Sequence, residues 1–180
     1  MLATVSLTIS RSNRKLSKCC AQINLSGNDI GGYHDFQQQR TIHNPEGPNA
    51  IADAIRVCAS LKSMHLGGNR IGPKGAWYIA KGISVSISLT NIDLIGNEIG
   101  CEGAKYLADG ISVNTSLKSI DIGYNRIGEA MAIELIGIFN TKQLVSVGLG
   151  NCCLGVDGAK AVADYIAVST SLTKVPAFCK

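Results

Sequence analysis

The sequence predicts an α/β solenoid: one strand-turn-helix unit, stacked on copies of itself within a single domain spanning 1–180. Three observations predict it. The same phrase recurs at residues 60–87, 88–115, 116–142 and 143–170. Asn69, Asn97 and Asn125 stand 28 apart, and Cys152 takes the same place 27 further on. Each copy changes from an alternating apolar run to an apolar stripe at helical spacing. A unit of this size cannot bury its own apolar face, so stacking on its neighbours is what supplies the core.

Residues 1–19 fit no repeat, and "MLATVSLTI" offers at most a strand through Leu2, Val5 and Leu7. A first repeat is predicted over about 20–59. In it Ile23, Leu25 and Asn28 match the strand and turn, Ile30-Gly31 the bend, and Pro48, Ile51, Ala52 and Ile55 the helix. It is longer than the others by about 13 residues, an insertion near 33–46 expected to bulge as a flexible polar loop from the strand-to-helix edge.

The regular copies follow. Leu61, Met64 and Leu66, then Leu89, Ile92 and Leu94, Leu117, Ile120 and Ile122, and Leu144, Val147 and Leu149 have strand periodicity and point inward. The Asn after each strand has an amide able to satisfy loop N–H and C=O groups inside the stack. Cys152 can only fill the space and donate weakly. In Ile71-Gly72, Ile99-Gly100, Ile127-Gly128 and Leu154-Gly155 the glycine permits the bend into the helix.

Helical stripes are predicted at Ala76, Ile79, Ala80 and Ile83, at Ala104, Leu107, Ala108 and Ile111, and at Ala159, Val162, Ala163 and Ile166. In the third copy Ala132, Leu135, Ile136 and Phe139 take that place; one residue is lost and Met131 replaces a glycine, so this repeat should be irregular. A sixth strand, Leu172 to Ala177, opens a truncated repeat at 171–180. Neither end has the polar cap a solenoid needs, which suggests a piece of a longer array.

The units read N-x-I-G-x-x-G-A-x-x-[LI]-A-x-x-I-x-x-x-x-S-L. They resemble ribonuclease-inhibitor-type leucine-rich repeats over residues 20 to 177, above all the repeat regions of NOD-like receptors. The resemblance implies a right-handed α/β horseshoe, with parallel strands on the concave face and helices on the convex one. It implies a protein that binds another protein. Relatives include ribonuclease inhibitors and activators of the Ran GTPase, in which the GTPase supplies most of the catalytic groups. A ribonuclease-inhibitor role suits a chain of net charge +4 poorly, because ribonucleases are themselves basic.

Composition narrows the class. Of the 180 residues 46% are hydrophobic and only 5% aromatic, so the core is built from small aliphatic side chains. The mild positive charge, concentrated at Arg11, Arg14, Lys15 and Lys18, does not point to nucleic acid or a membrane surface. No apolar run reaches the roughly 18 residues of a membrane span. The start lacks a basic stretch before its apolar part and so fits a secretory signal poorly, although Ser and Arg without acids suit a mitochondrial transit peptide. Seven cysteines without C-x-x-C spacing suit a reducing compartment, hence a cytoplasmic protein. The N-x-S/T sequons at Asn24 and Asn114 read as chance.

Stacked strands would align exposed residues into rows. One row is Asn24, His65, Asp93, Asp121 and Gly148; its neighbour is Gln22, Ser63, Asn91, Ser119, Ser146 and Lys174. The protein-binding candidates are Ser63, His65, Asn91, Asp93, Ile95, Ser119, Asp121 and Tyr124, the tyrosine serving as an anchor at the rim. Adjacent carboxylates beside an imidazole look catalytic, but the resemblance makes Asp an ordinary filler of a Leu-Asp-Leu strand.

Other chemistry is weaker. "GLGNCCLG" fails as a dinucleotide loop because its third glycine is Cys153. His34, Asp35 and His43 match no metal spacing, and Cys58 lacks a placeable partner. The sequence therefore predicts no catalytic residue, cofactor or metal, and a non-enzymatic scaffold for a protein partner. The alternative is a regulator of GTPase rate similar to the Ran GTPase activators.

Overall fold

Strands of only three residues, each followed by a whole helix, force the chain into parallel stacking, since consecutive strands must run the same way to admit the crossover. The computed structural model describes residues 21–174. The N-terminal segment 1–19 and the end of the expected sixth strand lie outside them, with Cys19, Cys20 and Cys179. Within them β1 (Gln22–Asn24), β4 (Ser63–His65), β5 (Asn91–Asp93), β6 (Ser119–Asp121) and β7 (Ser146–Gly148) form one parallel sheet in that order. A bridge from Ser146 to Lys174 is all that is described of a sixth strand.

The helices α1 (Glu46–Val57), α2 (Gly72–Val85), α3 (Gly100–Val113), α4 (Glu129–Lys142) and α5 (Gly155–Val168) form the second layer. The predicted inward residues of the four regular strands, from Leu61 through Leu149, and the stripes of α2, α3 and α4 are all buried in one continuous core.

An asparagine ladder runs through the loops. The Asn69 N–H donates to Asn97 Oδ1 at 2.9 Å, and the Asn97 N–H to Asn125 Oδ1 at 2.8 Å. Each amide also donates across the repeat boundary: Asn97 Nδ2 reaches Leu66 O and Leu94 O, both at 2.9 Å. Cys152 ends the ladder, its thiol donating to Ile122 O at 3.3 Å. Burial pushes that thiol up to about 11, so it stays protonated and serves as the weak donor the position needs.

Glycines set the helix spacing. A Cβ on Gly110 would lie 2.6 Å from Ala80 O, and one on Gly82 would lie 2.9 Å from Ala52 O. These bare positions let α3 seat on α2, and α2 on α1. In α4 Ile138 stands in the place of Gly82 and Gly110, and Met131 in the place of Gly75 and Gly103, and the junction with α3 is the thinnest between consecutive helices. The α4 caps differ as well: Gly128 precedes it at φ 80 and Gln143 follows in the left-handed region, where α2 and α3 end extended. Glu129 of α4 in turn caps α5, its carboxylate accepting the Asp157 N–H at 2.8 Å.

Two expectations change. The insertion is not an irregular loop but a two-stranded antiparallel hairpin, β2 (Gly32–Asp35) and β3 (Arg40–His43). Asp35 Oδ1 builds its turn by accepting the Gln37 and Gln38 N–H groups at 2.9 and 3.1 Å. The stripe of α5 is the second. Val162 is buried, but Ala159 and Ala163 are exposed and Ile166 is 47% exposed, while Gly158 and Tyr165 are buried against the preceding repeat. The side of α5 facing away from α4 has no following helix among the described residues, and burial of a solenoid helix depends on both neighbours.

Candidate functional site

Register turns the alternating strands into a surface. Asn24, His65, Asp93, Asp121 and Gly148 lie side by side across the sheet, and Gln22, Ser63, Asn91, Ser119 and Ser146 form the parallel row, as expected. The middle of the two rows lines an open groove of about 210 Å³, with Ser63, His65, Asn91, Asp93, Ile95, Ser119 and Asp121 joined by Ser146 and Lys174. Ser146 and Lys174 were legible in the row, though not among the eight candidates.

Each acidic or amide side chain of the first row serves its own backbone. Asn24 Oδ1 accepts the Ser26 N–H at 3.0 Å, Asp93 Oδ1 that of Ile95 at 2.9 Å, and Asp121 Oδ1 that of Gly123 at 3.0 Å. The turn at the strand end therefore selects Asp or Asn, and at Asp93 the second oxygen is left to face His65 across the row. Gln22 Nε2 donates to His65 Nε2 at 3.2 Å, which leaves His65 Nδ1 facing Asp93 Oδ2 at 3.6 Å. Ile95 is 37% exposed beside them, an apolar contact at the groove margin.

Asp121 leans over Gly148: a Cβ there would lie 2.1 Å from the Asp121 carboxyl carbon. Burial in that position raises its pKa above the ordinary 3.8, the Gly123 N–H opposes the shift, Asp93 adds to it and Lys174 opposes it. The sign follows from linkage. A carboxyl whose pKa is higher folded than unfolded favours the folded state below its unfolded value and loses that contribution as pH rises through the folded one. Asp121→Asn keeps the acceptor for Gly123 and removes the charge. It should therefore raise the urea midpoint at neutral pH, with the gain vanishing below the ordinary Asp range.

Tyr124 lies elsewhere. It is 45% exposed on the wall of a separate cavity beside the hairpin. Its backbone is left-handed at φ 58, in a place held by Gly27, Gly68 and Gly96 in the earlier repeats. A left-handed backbone costs a tyrosine more than it costs the glycines of the earlier repeats.

The remaining candidates do not converge. Among the described residues no group of three or more His, Cys, Asp or Glu side chains could hold a metal. His34 packs edge-on against Phe36, His43 Nδ1 sits 3.0 Å from Arg70 O, and Asp35 is occupied by its turn. Cys58 is buried, 3.7 Å from Ser60 Oγ. Among the described residues Cys58, Cys101, Cys152 and Cys153 form no disulfide. No described helix is long and apolar enough to cross a membrane.

Repeated strand-loop-helix units, an asparagine ladder and a strand face with a groove define a leucine-rich-repeat solenoid. Comparison with known proteins agrees. Residues 57–80, 85–108 and 113–130 match the family described as Leucine Rich repeat. Among solved structures, "Leiomodin-1 Actin-Binding Site 2 (ABS2)" is similar at TM-score 0.65 and 15% identity, over 82% of this chain and 79% of that one. A tropomodulin C-terminal domain from Caenorhabditis elegans is similar at TM-score 0.63 and 14% identity, over 81% of each chain. At these identities the likeness establishes the fold. No curated protein sequence matches the chain.

Proposed function

We propose that the chain is a non-enzymatic cytoplasmic scaffold that binds a protein partner through the strand face, with the groove over Asp93 and Asp121 at the centre of contact. The observation that carries this reading is the groove itself: seven candidate residues from three adjacent repeats line it together. Hydrogen-bonding Ser and Asn side chains, two carboxylates and an apolar margin at Ile95 suit the polar surface of a folded partner better than a small apolar ligand. Both carboxylates are tied to backbone N–H groups, an arrangement that fixes them for recognition.

The 28-residue spacing of the ladder asparagines and a full α-helix in each regular repeat support the ribonuclease-inhibitor subtype, and with it a place in a larger receptor-like protein. The similar leiomodin structure is an actin-binding site, so actin is the first bait to try.

The test is a pull-down with the chain and with its Asp93→Asn/Asp121→Asn variant, followed by single-turnover GTP hydrolysis for any GTPase recovered. The variant keeps both turn acceptors and loses both charges, so it should fold normally and bind its partner about tenfold more weakly. Unchanged binding would remove the groove from the interface. Acceleration of GTP hydrolysis without a stable complex would favour the GTPase regulator instead.

A further inference from the structure

The hairpin rearranges the charges along the loop rim. The residue after the ladder position is Asp29, Arg70, Glu98 and Arg126 in successive repeats, so acid and base alternate up the stack. Arg70 pairs with Asp29 of the repeat before it. By the same logic Arg126 should pair with Glu98, but it does not: Glu98 Oε2 faces His43 Nε2, at the hairpin's end, at 3.7 Å. Arg126 has no ion pair or side-chain hydrogen bond among the described residues.

The hairpin also roofs the space in front of that guanidinium. His34 and Thr41 are cross-strand partners, so they share one face of the hairpin. That face and the rim residues Tyr124 and Arg126 line an open cavity of about 520 Å³, large enough for several side chains of a ligand. The first residue of α3, Gly100, is part of its wall, which brings the positive end of that helix's peptide dipoles to the same space. Glu98 is the carboxylate on the wall, already turned toward His43.

We propose that this cavity binds an anionic side chain, carboxylate or phosphoryl, carried on a segment of a partner protein. Arg126 is its counter-ion and Tyr124 the aromatic wall against which it packs. This site is separate from the strand-face groove and does not depend on it. An unpaired guanidinium has five donors arranged for bidentate contact with an oxyanion.

The experiment is a ¹⁵N NMR titration of the full chain with three capped peptides, Gly-Ser-Glu-Ser-Gly, its phosphoserine-centred counterpart and its glutamine-centred counterpart. Saturable shifts at the Gly96, Gly100 and Arg126 amides are expected with one or both charged peptides and not with the glutamine one; which peptide binds identifies the source of the anion. Arg126→Gln should weaken the binding about tenfold, and Glu98→Gln should strengthen it. Asp93→Asn/Asp121→Asn should leave it unchanged, so failure here is distinguishable from failure at the groove. Binding that survives Arg126→Gln, no saturable shift with either charged peptide, or shifts confined to the Asn91 and Ser119 amides would overturn the assignment.

Discussion

Asn97→Ala should lower the unfolding free energy by about 3–5 kcal/mol, a large part of the 5–15 kcal/mol typical of a whole domain. Asn97 is fully buried in mid-ladder. Its Oδ1 is the acceptor of the Asn69 N–H, and truncation leaves that donor in the core with no partner, at about 1–3 kcal/mol. Three amide donations, to Leu66 O, Leu94 O and Ile95 O, are lost as well, although each carbonyl keeps another donor: the amides of Asn69 and Asn125 and the Gly68 N–H. These add about 1 kcal/mol each at most, together with a small cavity. Equilibrium urea unfolding measures the sum, with Asn28→Ala at the exposed end of the ladder as the milder control. A loss below about 1 kcal/mol for Asn97→Ala would mean the ladder is incidental to the stack.

Gly110→Leu should cost about 3 kcal/mol, by overpacking. The added Cβ meets the Ala80 backbone, which cannot rotate away as a side chain would, so α3 has to lift off α2. The contrasting substitution is Gly137→Ala in α4, where nothing lies within 4 Å of the new carbon. It should stabilise by up to about 1 kcal/mol through helix propensity alone. Opposite signs at two helical glycines would show that close approach, and not glycine itself, is what Gly110 provides. Equal signs would deny the spacing role.

Most of the solenoid was legible because each repeat restates the same physical requirements. The inward strand residues, the ladder asparagines, the bend glycines and the stripes of α1 to α4 fall where periodicity puts them. The register that aligns Asp93 with Asp121 was legible too, since parallel strands at a fixed period leave no other pairing. The α5 stripe was not, because nothing inside Ala159, Ala163 or Ile166 says whether a helix follows to cover them. The hairpin was obscured by brevity. Two four-residue strands give too few alternations to separate from a loop, and the one usable signal was Asp35 ahead of a glutamine run, a side chain suited to closing a turn. Tyr124 shows a different limit. Its place after the strand was readable, but its position on the hairpin cavity's wall depends on a contact between segments far apart in the chain.

The separation between residues that build the stack and residues left for a partner is tested most directly by site-specific photo-crosslinking. A benzophenone amino acid replaces exposed Asn91 on the strand face in one protein and exposed Lys105 on α3 in another. Partner crosslinked from position 91 and not from position 105 is the predicted result. Crosslinking from 105 with none from 91 would contradict it, and would move the interface to the helical side.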